Sequence, residues 1–387
     1  MLSTLSAVSA LRGLRDSLRF VVWQPFAISL GLDMGQVGGL ESLMDMTRLA
    51  LEPALGVVSD ARGRRNLVVL REALIVGAGV ALLLAHSWHL LFLSCLLVGA
   101  SMAFYSVWNT VIAESTAGSS LGFIYSLTSS FYTGAGLVGT IAAGYVADAY
   151  GFGWAYVAVI AVGVLSLGIV VLRLPETMAG EKRRVDLTRT VAAPFKALIP
   201  PRELVGFYIA MALDSVAFGV GLRLLNGMLA EGYGYTPLMI GLYSAVMTAT
   251  MALSQVPVGR LADRFGYRNC LFLSQVMASL TLGMMVYSKT FEWVLAANLV
   301  LGLATAFWVP SEQAWIAENV DPTERAQSLG SYSTFRGLAG LPAPIVGGIL
   351  FDAYGFNVPI ALNIVLALVD AAVILILVRE KRPVSSS

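Results

Sequence analysis

Charged side chains recur at helical spacing inside the first two long apolar stretches of the chain. The first stretch carries Arg12, Arg15, Asp16 and Arg19, and the second carries Glu41, Asp45, Arg48 and Glu52. Steps of three or four residues place such side chains on one face of a helix. Carboxylates in this setting can bind and release protons, and guanidinium groups can hold an anionic or polar group. The two charged faces therefore predict a site for protons and for a polar substrate.

Charged residues inside an apolar stretch are costly unless they meet water or one another. A charge at the centre of a bilayer costs at least about 2.5–3.5 kcal/mol, so these side chains have to face a polar cavity or each other. We expect Asp16, Asp45 and Glu41 to be the proton-coupling residues. The facing pairs expected from helical rise are Arg19 with Asp45, Asp16 with Arg48, and Arg15 with Glu52. The alternative is a static network of ion pairs that holds the two helices together.

The second half of the chain carries fewer charges within its apolar stretches. The residues that we expect to bind substrate, taken from both halves, are Arg19, Arg48, Arg223, Asp214, Asn226 and Gln255. Asp370 and Arg336 lie at matching depth in the last two apolar stretches, which predicts a structural ion pair between them. We expect no metal site and no cofactor.

Composition and apolar runs identify the elements that position these residues. Of the 387 residues, 57% are hydrophobic and only 13% are charged, whereas a soluble domain is about 25% charged. The mean hydropathy is +0.76. Runs long enough to span a bilayer recur twelve times, over 8–30, 36–58, 67–86, 90–113, 122–147, 153–174, 204–230, 237–258, 270–288, 292–316, 327–350 and 357–378. The chain is therefore predicted to be an all-α membrane protein with twelve transmembrane helices.

Basic residues of the connecting loops lie almost entirely on one side of this predicted topology. Arg64, Arg268 and Arg382 are examples on that side, whereas Lys289 stands alone on the other. Because basic loops remain in the cytoplasm, we expect an integral protein of the plasma (inner) membrane with both termini cytoplasmic. The net charge of +1, without a basic domain, predicts no binding to nucleic acid.

Three short motifs recur in the two halves of the chain. The segment 56–66 recurs as 259–269, Asp148–Phe152 recurs unchanged as Asp352–Phe356, and Ile112–Glu114 recurs as Ile316–Glu318. Such matched spacing predicts an internal duplication into two six-helix bundles. The predicted domains are an N-terminal bundle over 1–174, a cytoplasmic linker over 175–202, and a C-terminal bundle with a short tail over 203–387.

The Gly-x-x-x-Asp-x-x-Gly-x-Arg pattern of the repeated loop resembles the signature between helices 2 and 3 of the major facilitator superfamily. Its second copy resembles the echo of that signature between helices 8 and 9, and the resemblance covers nearly the whole chain. It implies secondary transport by alternating access, with helices 3, 6, 9 and 12 outside the central cavity. The gating residues that it implies are Gly56, Asp60, Arg62, Gly63, Arg64, Gly259, Asp263, Arg264, Gly266 and Arg268.

The charged faces, the topology and the resemblance together predict a transporter and not an enzyme. We favour proton-coupled export of an amphipathic compound or metabolite, because the cavity is expected to be both charged and apolar. Proton-coupled uptake of an organic anion is the alternative, favoured by the arginines and by Cys95 standing where drug/proton antiporters of the family carry an arginine. A non-transporting receptor or scaffold on the same fold is a third possibility, disfavoured by titratable groups near the midplane. The expected partners are a small-molecule substrate, protons and the lipid bilayer, with the protein acting as a monomer.

Overall fold

The computed structural model describes residues 1–115, 121–177, 200, 202, 204–320 and 325–378. Within these ranges the helices form twelve spans, three of which are broken. Their bounds are α1 Leu2–Ser29, α2 Met34–Arg62, α3 Arg65–Leu83, α4 Trp88–Met102 with Tyr105–Glu114, α5 Leu121–Tyr150, α6 Phe152–Arg173, α7 Val205–Val220 with the 3-10 turn Leu222–Leu224 and Leu225–Tyr233, α8 Pro237–Phe265, α9 Tyr267–Tyr287, α10 Phe291–Asn319, α11 Arg325–Gly340 with Ala343–Tyr354, and α12 Asn357–Leu377.

The twelve helical spans coincide with the twelve apolar runs of the sequence. The observed helices extend further into the loops, most at the start of α1 and the end of α8. Among the described residues, nine spans are long and apolar enough to cross a membrane by length and composition alone. Of the other three, α1 and α2 carry the charged faces, which lower their hydropathy. The prediction of an all-α membrane protein with twelve transmembrane helices in two six-helix bundles is confirmed.

The repeated motifs end helices in the same way in both halves. Gly63 follows α2 with φ of 92°, and Gly266 follows α8 with φ of 84°. Gly151 and Gly355, from the second motif, follow α5 and α11 with φ of 89° and 77°. Positive φ is strained for residues with a Cβ, and glycine commonly ends helices in this way. The motifs therefore record a backbone requirement that the two halves share.

A capping box begins α2, the helix that carries one of the charged faces. Asp33 Oδ1 accepts a hydrogen bond from the backbone N–H of Gln36 at 2.7 Å, and Gln36 Oε1 accepts one from the N–H of Asp33 at 3.3 Å. These bonds satisfy N–H groups that the helix itself leaves without acceptors. The charged residues of α2 thus lie on a helix whose first turn is well defined.

The contacts within the chain divide it into two compact units. The first comprises Met1–Ala192 and Asn226–Ala245, and the second comprises Ala193–Leu225 and Val246–Ser387. The segment from the second part of α7 into α8 therefore belongs to the first unit. The domain boundaries expected at 174 and 203 stay a prediction.

Glycines bring α1 close to α5 in the first unit. A Cβ on Gly139 would lie 2.6 Å from the carbonyl oxygen of Leu14, and a Cβ on Gly13 would overlap the carbonyl oxygen of Tyr132. Small residues allow transmembrane helices to pack at such short distances. This contact fixes which sides of α1 remain for its charged residues.

Candidate functional site

A fully buried carboxylate, Glu72 of α3, gathers the positive charges of the first unit. Its Oε1 lies 2.7 Å from Arg12 Nε and 2.9 Å from Arg71 Nη1, and its Oε2 lies 2.5 Å from Arg15 Nη1. Ser166 of α6 donates a further hydrogen bond from Oγ to Oε2 at 2.9 Å. Arg12 and Arg15 are themselves buried. We call these five residues the Glu72 cluster.

The charged face of α1 is directed towards the Glu72 cluster and not towards α2. Arg15 bonds to Glu72 and also to Asp16, whose Oδ1 lies 2.9 Å from Arg15 Nη2. The expected pairs of Asp16 with Arg48 and of Arg15 with Glu52 are therefore wrong. Matching residues by depth considers only one coordinate, whereas the rotation of α1 about its axis decides which neighbouring helix its side chains meet.

Two guanidinium groups of α1 have nitrogen atoms without partners. Arg12 lies 3.7 Å over the ring of Trp108, a cation–π contact, and its Nη2 is buried without a hydrogen-bond partner among the described residues. The Nε of Arg19 is also buried without one, so the pair expected with Asp45 is not formed through that atom. Unsatisfied buried donors are costly, and an anionic or polar ligand would satisfy them.

The charged face of α2 is paired within its own helix. Arg48 Nε lies 3.8 Å from Asp45 Oδ1, and Arg48 Nη1 lies 3.4 Å from Glu52 Oε2. These three side chains keep between 19% and 30% of their surface exposed. Pairs at this spacing stabilise a helix by only about 0.2–0.5 kcal/mol each. Asp45 and Arg48 are therefore weakly held and accessible.

Glu41 of α2 is buried and joined to α1 through Gln24. The Nε2 of Gln24 donates to Glu41 Oε1 at 2.8 Å, and its Oε1 accepts from the backbone N–H of Gly227 at 2.9 Å. Next to Gly227, the Nδ2 of Asn226 donates to the carbonyl oxygen of Phe20 at 3.3 Å. The structure thus brings one expected proton-coupling residue, Glu41, and one expected substrate residue, Asn226, to the same part of α1.

Arg336 of α11 is the central cation of a polar group in the second unit. Its Nη2 lies 2.6 Å from Asp214 Oδ2 of α7, and its Nη1 lies 2.7 Å from Glu312 Oε1 of α10. Its Nε donates to Ser215 Oγ at 3.0 Å. The hydroxyl of Tyr332, one turn earlier in α11, also donates to Glu312 Oε1. Arg336 therefore divides its donors between two carboxylates and a hydroxyl.

Gln275 of α9 connects this group to Asp370 of α12. Its Nε2 donates to Asp214 Oδ1 at 2.9 Å and to Asp370 Oδ2 at 2.7 Å. The ion pair expected between Asp370 and Arg336 is therefore wrong, because Gln275 bonds to Asp370 while Asp214 and Glu312 engage Arg336. Asp370 is fully buried, and its Oδ1 has no hydrogen-bond partner in the part of the chain that the structure describes.

The other expected substrate residues of the second unit lie apart from this group. Arg223 is in the 3-10 turn that breaks α7, and Gln255 is exposed on α8. Their part in substrate binding stays a prediction, as does that of Arg19, Arg48 and Asn226.

In the first repeated loop, Arg64 is tied to two acidic residues. Its Nη1 lies 2.5 Å from Glu114 Oε1 at the end of α4. The backbone N–H groups of Arg64 and Arg65 donate to Glu176 at 2.9 Å and 3.3 Å. A carboxylate is favourable at this helix start, where N–H groups lack partners. Arg64 thus joins the start of α3 to the end of α4.

The second loop repeats the backbone of the first with different side-chain contacts. Asp263 is exposed and accepts a hydrogen bond from the hydroxyl of Tyr267 at 3.1 Å. Arg264 is exposed near the end of α8, and Gly259 lies within that helix, as Gly56 lies within α2. The side chains of Asp60 and Arg62 lie outside what the structure describes. The gating roles expected for these loops stay a prediction.

The centres of both polar groups, Glu72 and Gln275, were not among the residues expected from the sequence. Both lie on helices that the resemblance placed outside the cavity. The repeat nevertheless contains a signal for them, since Glu72 follows Gly63 at the same interval at which Gln275 follows Gly266. Aligning the two halves would have shown a polar residue at one shared position of two apolar helices.

Comparison with known proteins identifies relatives along the whole chain. A sequence model of the family described as Major Facilitator Superfamily matches residues 5–229 and 207–387. The Multidrug resistance protein MdtG of Escherichia coli (strain SMS-3-5 / SECEC) is 24% identical over 315 residues, covering 79% of this chain and 75% of that protein.

Two solved structures resemble this fold over nearly its full length. A variant of the nucleoside transporter NupG aligns with a TM-score of 0.82 at 17% identity, covering 98% of this chain and 100% of that one. The human organic anion transporter MFSD10 (TETRAN) aligns with a TM-score of 0.69 at 17% identity, covering 96% and 98%. At these identities the likeness shows the fold alone.

Proposed function

The chain belongs to the Major Facilitator Superfamily, and from this membership we propose that it is a proton-coupled exporter of amphipathic compounds or metabolites that works by alternating access. Membership makes the protein an integral membrane transporter of small molecules. The direction of transport, the coupling to protons and the class of substrate go beyond membership and rest on the observations below.

The observation that carries the proposal of export is the likeness to MdtG. The identity of 24% extends over 79% of this chain, so the likeness is not confined to one loop motif. That relative is named for resistance to many drugs. Export of chemically different compounds suits such a name, and we extend this direction of transport to the present chain.

The accessible carboxylates of α1 and α2 support proton coupling. Asp45 keeps 19% of its side chain exposed and meets Arg48 at 3.8 Å in its own helix. Asp16 keeps 24% exposed and bonds to Arg15. A carboxylate that is accessible and loosely paired can exchange its proton as the cavity changes. We assign the coupling step first to Asp45, with Asp16 and the buried Glu41 beside it.

Arginine and amide side chains would hold the polar part of the substrate. Arg48 and Arg19 extend from the two charged faces, and Asn226 lies buried at the same part of α1 as Glu41. From the second unit we assign Arg223, Asp214 and Gln255 to the same role. Apolar helix surfaces would then take the apolar part of an amphipathic compound.

Proton-coupled uptake of an organic anion is the second candidate, and one observation favours it. The Nη2 of Arg12 and the Nε of Arg19 are buried without hydrogen-bond partners among the described residues. Guanidinium groups bind carboxylates through paired, charge-assisted hydrogen bonds. An anionic substrate would supply the acceptors that these atoms lack.

We further propose that the protein acts as a monomer in the inner membrane, with both termini in the cytoplasm. The loops that carry Arg64 and Arg268 lie on the side of the topology that the termini share, and Lys289 lies on the other. This distribution follows the rule that positively charged loops remain in the cytoplasm.

Transport by the purified protein in liposomes tests the proposal. Ethidium serves as the amphipathic cation, fluorescein as the organic anion, and an enclosed pH indicator reports proton flux. We expect an imposed pH gradient to drive ethidium transport and a protonophore to abolish it. Gradient-driven movement of fluorescein alone would replace export with the second candidate. If neither dye nor other amphipathic compounds cross and no proton flux is seen, the proposal is wrong and a receptor or scaffold role is favoured.

A further inference from the structure

The polar group of the second unit contains more carboxylates than cations. Its acidic members are Asp214, Glu312 and Asp370, and its cation is Arg336. The neutral members Gln275, Tyr332 and Ser215 complete the hydrogen bonding from α9, α11 and α7. These are the polar side chains that face Asp370 and its immediate partners from the surrounding helices, and we call the seven residues the Asp370 group.

Hydrogen-bond donors in the Asp370 group are fully allocated before Asp370 is satisfied. The Nη1, Nη2 and Nε of Arg336 bond to Glu312, Asp214 and Ser215. The single bond to Asp370 comes from Gln275, which shares the same nitrogen with Asp214. Asp370 is 0% exposed, and its Oδ1 has no partner in the described part of the chain. An ionised carboxylate in such surroundings would be buried without compensation.

The first unit shows how the same position looks when its carboxylate is ionised. Ser166 follows Asp148 at the interval at which Asp370 follows Asp352, so Ser166 and Asp370 are counterparts in the duplication. Ser166 donates to Glu72, just as Gln275 donates to Asp370. Around Glu72, three guanidinium groups meet one carboxylate. Around Asp370 the balance is reversed, with one guanidinium group for three carboxylates.

We propose that Asp370 binds a proton at Oδ1 and forms, with Gln275 and Asp214, a proton site in the second unit of the transporter. The proposal rests on the proton coupling proposed above and adds a site outside the charged faces of α1 and α2. The ligand is a proton taken from water, and its binding converts the Asp370 carboxylate into a neutral carboxyl group.

A graded change in exposure connects the buried proton to the surface of the unit. The exposed fraction is 0% for Asp370 and 4% for Gln275, and it rises to 15% for the side chain of Asp214 and 31% for that of Arg336. Loss of the proton would place a second negative charge beside Gln275 and attract Arg336 away from Asp214. Proton release therefore changes contacts among α7, α9, α11 and α12, which is what coupling to a conformational change requires.

Infrared difference spectroscopy of the purified transporter, without substrate, tests the site directly. Protonated carboxyl groups absorb apart from carboxylates, and their band shifts when H2O is replaced by D2O. We expect the wild type to show such a band at neutral pH and Asp370→Asn to lose it. Glu292→Gln removes an exposed acid of α10 and should leave the band in place. An unchanged band in Asp370→Asn would overturn the proposal.

Two further measurements separate the outcomes. Asparagine is neutral and has nearly the shape of a protonated aspartate, so Asp370→Asn should fold as the wild type does; failure to fold would count against a neutral Asp370. Asp370→Ser, which copies Ser166 of the first unit, gives a second test of the band. In liposomes Asp370→Asn should lose the pH dependence of ethidium transport, and unchanged pH dependence would overturn the proposal. If the wild type shows no proton-driven transport, the proposed function fails while the spectroscopic test of Asp370 still stands.

Discussion

Ser166 of α6 donates a hydrogen bond of 2.9 Å to Glu72 of α3, and two arginines of α1 bond to the same carboxylate. Three helices of the first unit are thus joined at one buried side chain. A buried charge is tolerated where opposite charges and hydrogen bonds satisfy it. Glu72 meets both conditions, so we assign it a structural role and look for proton exchange at the looser carboxylates of the two units.

Replacing Glu72 by glutamine should strongly destabilise the protein. Arg12, Arg15 and Arg71 would lose their shared negative partner, and removing one partner of a buried pair costs about 3–5 kcal/mol. Thermal unfolding of the purified protein in detergent measures the effect as a lower midpoint. Glu292→Gln is the matched control, because it removes an exposed acid and should leave the midpoint unchanged. Equal midpoints for the two variants would show that the Glu72 cluster does not hold the helices together.

The helices could be predicted from the sequence because the bilayer imposes their length and apolar character. The duplication could be predicted as well, since Gly63 and Gly266 meet the same backbone requirement in both halves. The partners of the charged residues could not. A charged face on α1 is compatible with several neighbouring helices, and only packing decides that Arg15 meets Glu72. The same limit explains why Gln275, rather than Arg336, bonds to Asp370.

Replacing Asp45 by asparagine should abolish transport driven by a pH gradient while leaving exchange of substrate across the membrane intact. Exchange needs the substrate site and the conformational change, whereas net proton-driven transport also needs a group that changes its charge. The two rates can be compared in liposomes with radiolabelled ethidium. Because Asp45 contacts Arg48 at only 3.8 Å, the variant should fold normally. Gradient-driven transport at the wild-type rate would exclude Asp45 as the coupling residue.

Arg64 and Glu114 should act as one unit in transport. Their side chains meet at 2.5 Å at the ends of α3 and α4. Arg64→Gln and Glu114→Gln should each slow transport, and the double variant should be no slower than either single variant, because the second change removes nothing further. Initial rates in liposomes give the comparison. Strictly additive losses would mean that the two side chains act independently.

Two glycine substitutions should have opposite effects on stability, although both add a single methyl group to a helix. A Cβ on Gly13 would overlap the carbonyl oxygen of Tyr132, which belongs to the backbone of α5 and cannot rotate away. Overpacking of this kind costs about 1–3 kcal/mol. At Gly168 of α6, no atom lies within 4 Å of the added Cβ.

Gly168→Ala should therefore be neutral or gain up to about 1 kcal/mol from helix propensity, while Gly13→Ala should lower the unfolding midpoint. Gly13→Ala should also reduce transport, because moving α1 away from α5 displaces Arg12, Arg15 and Asp16 on the neighbouring turns. Unfolding of both variants in the same detergent provides the comparison. Equal stability of the two would mean that the close contact of α1 with α5 is not maintained in the folded protein.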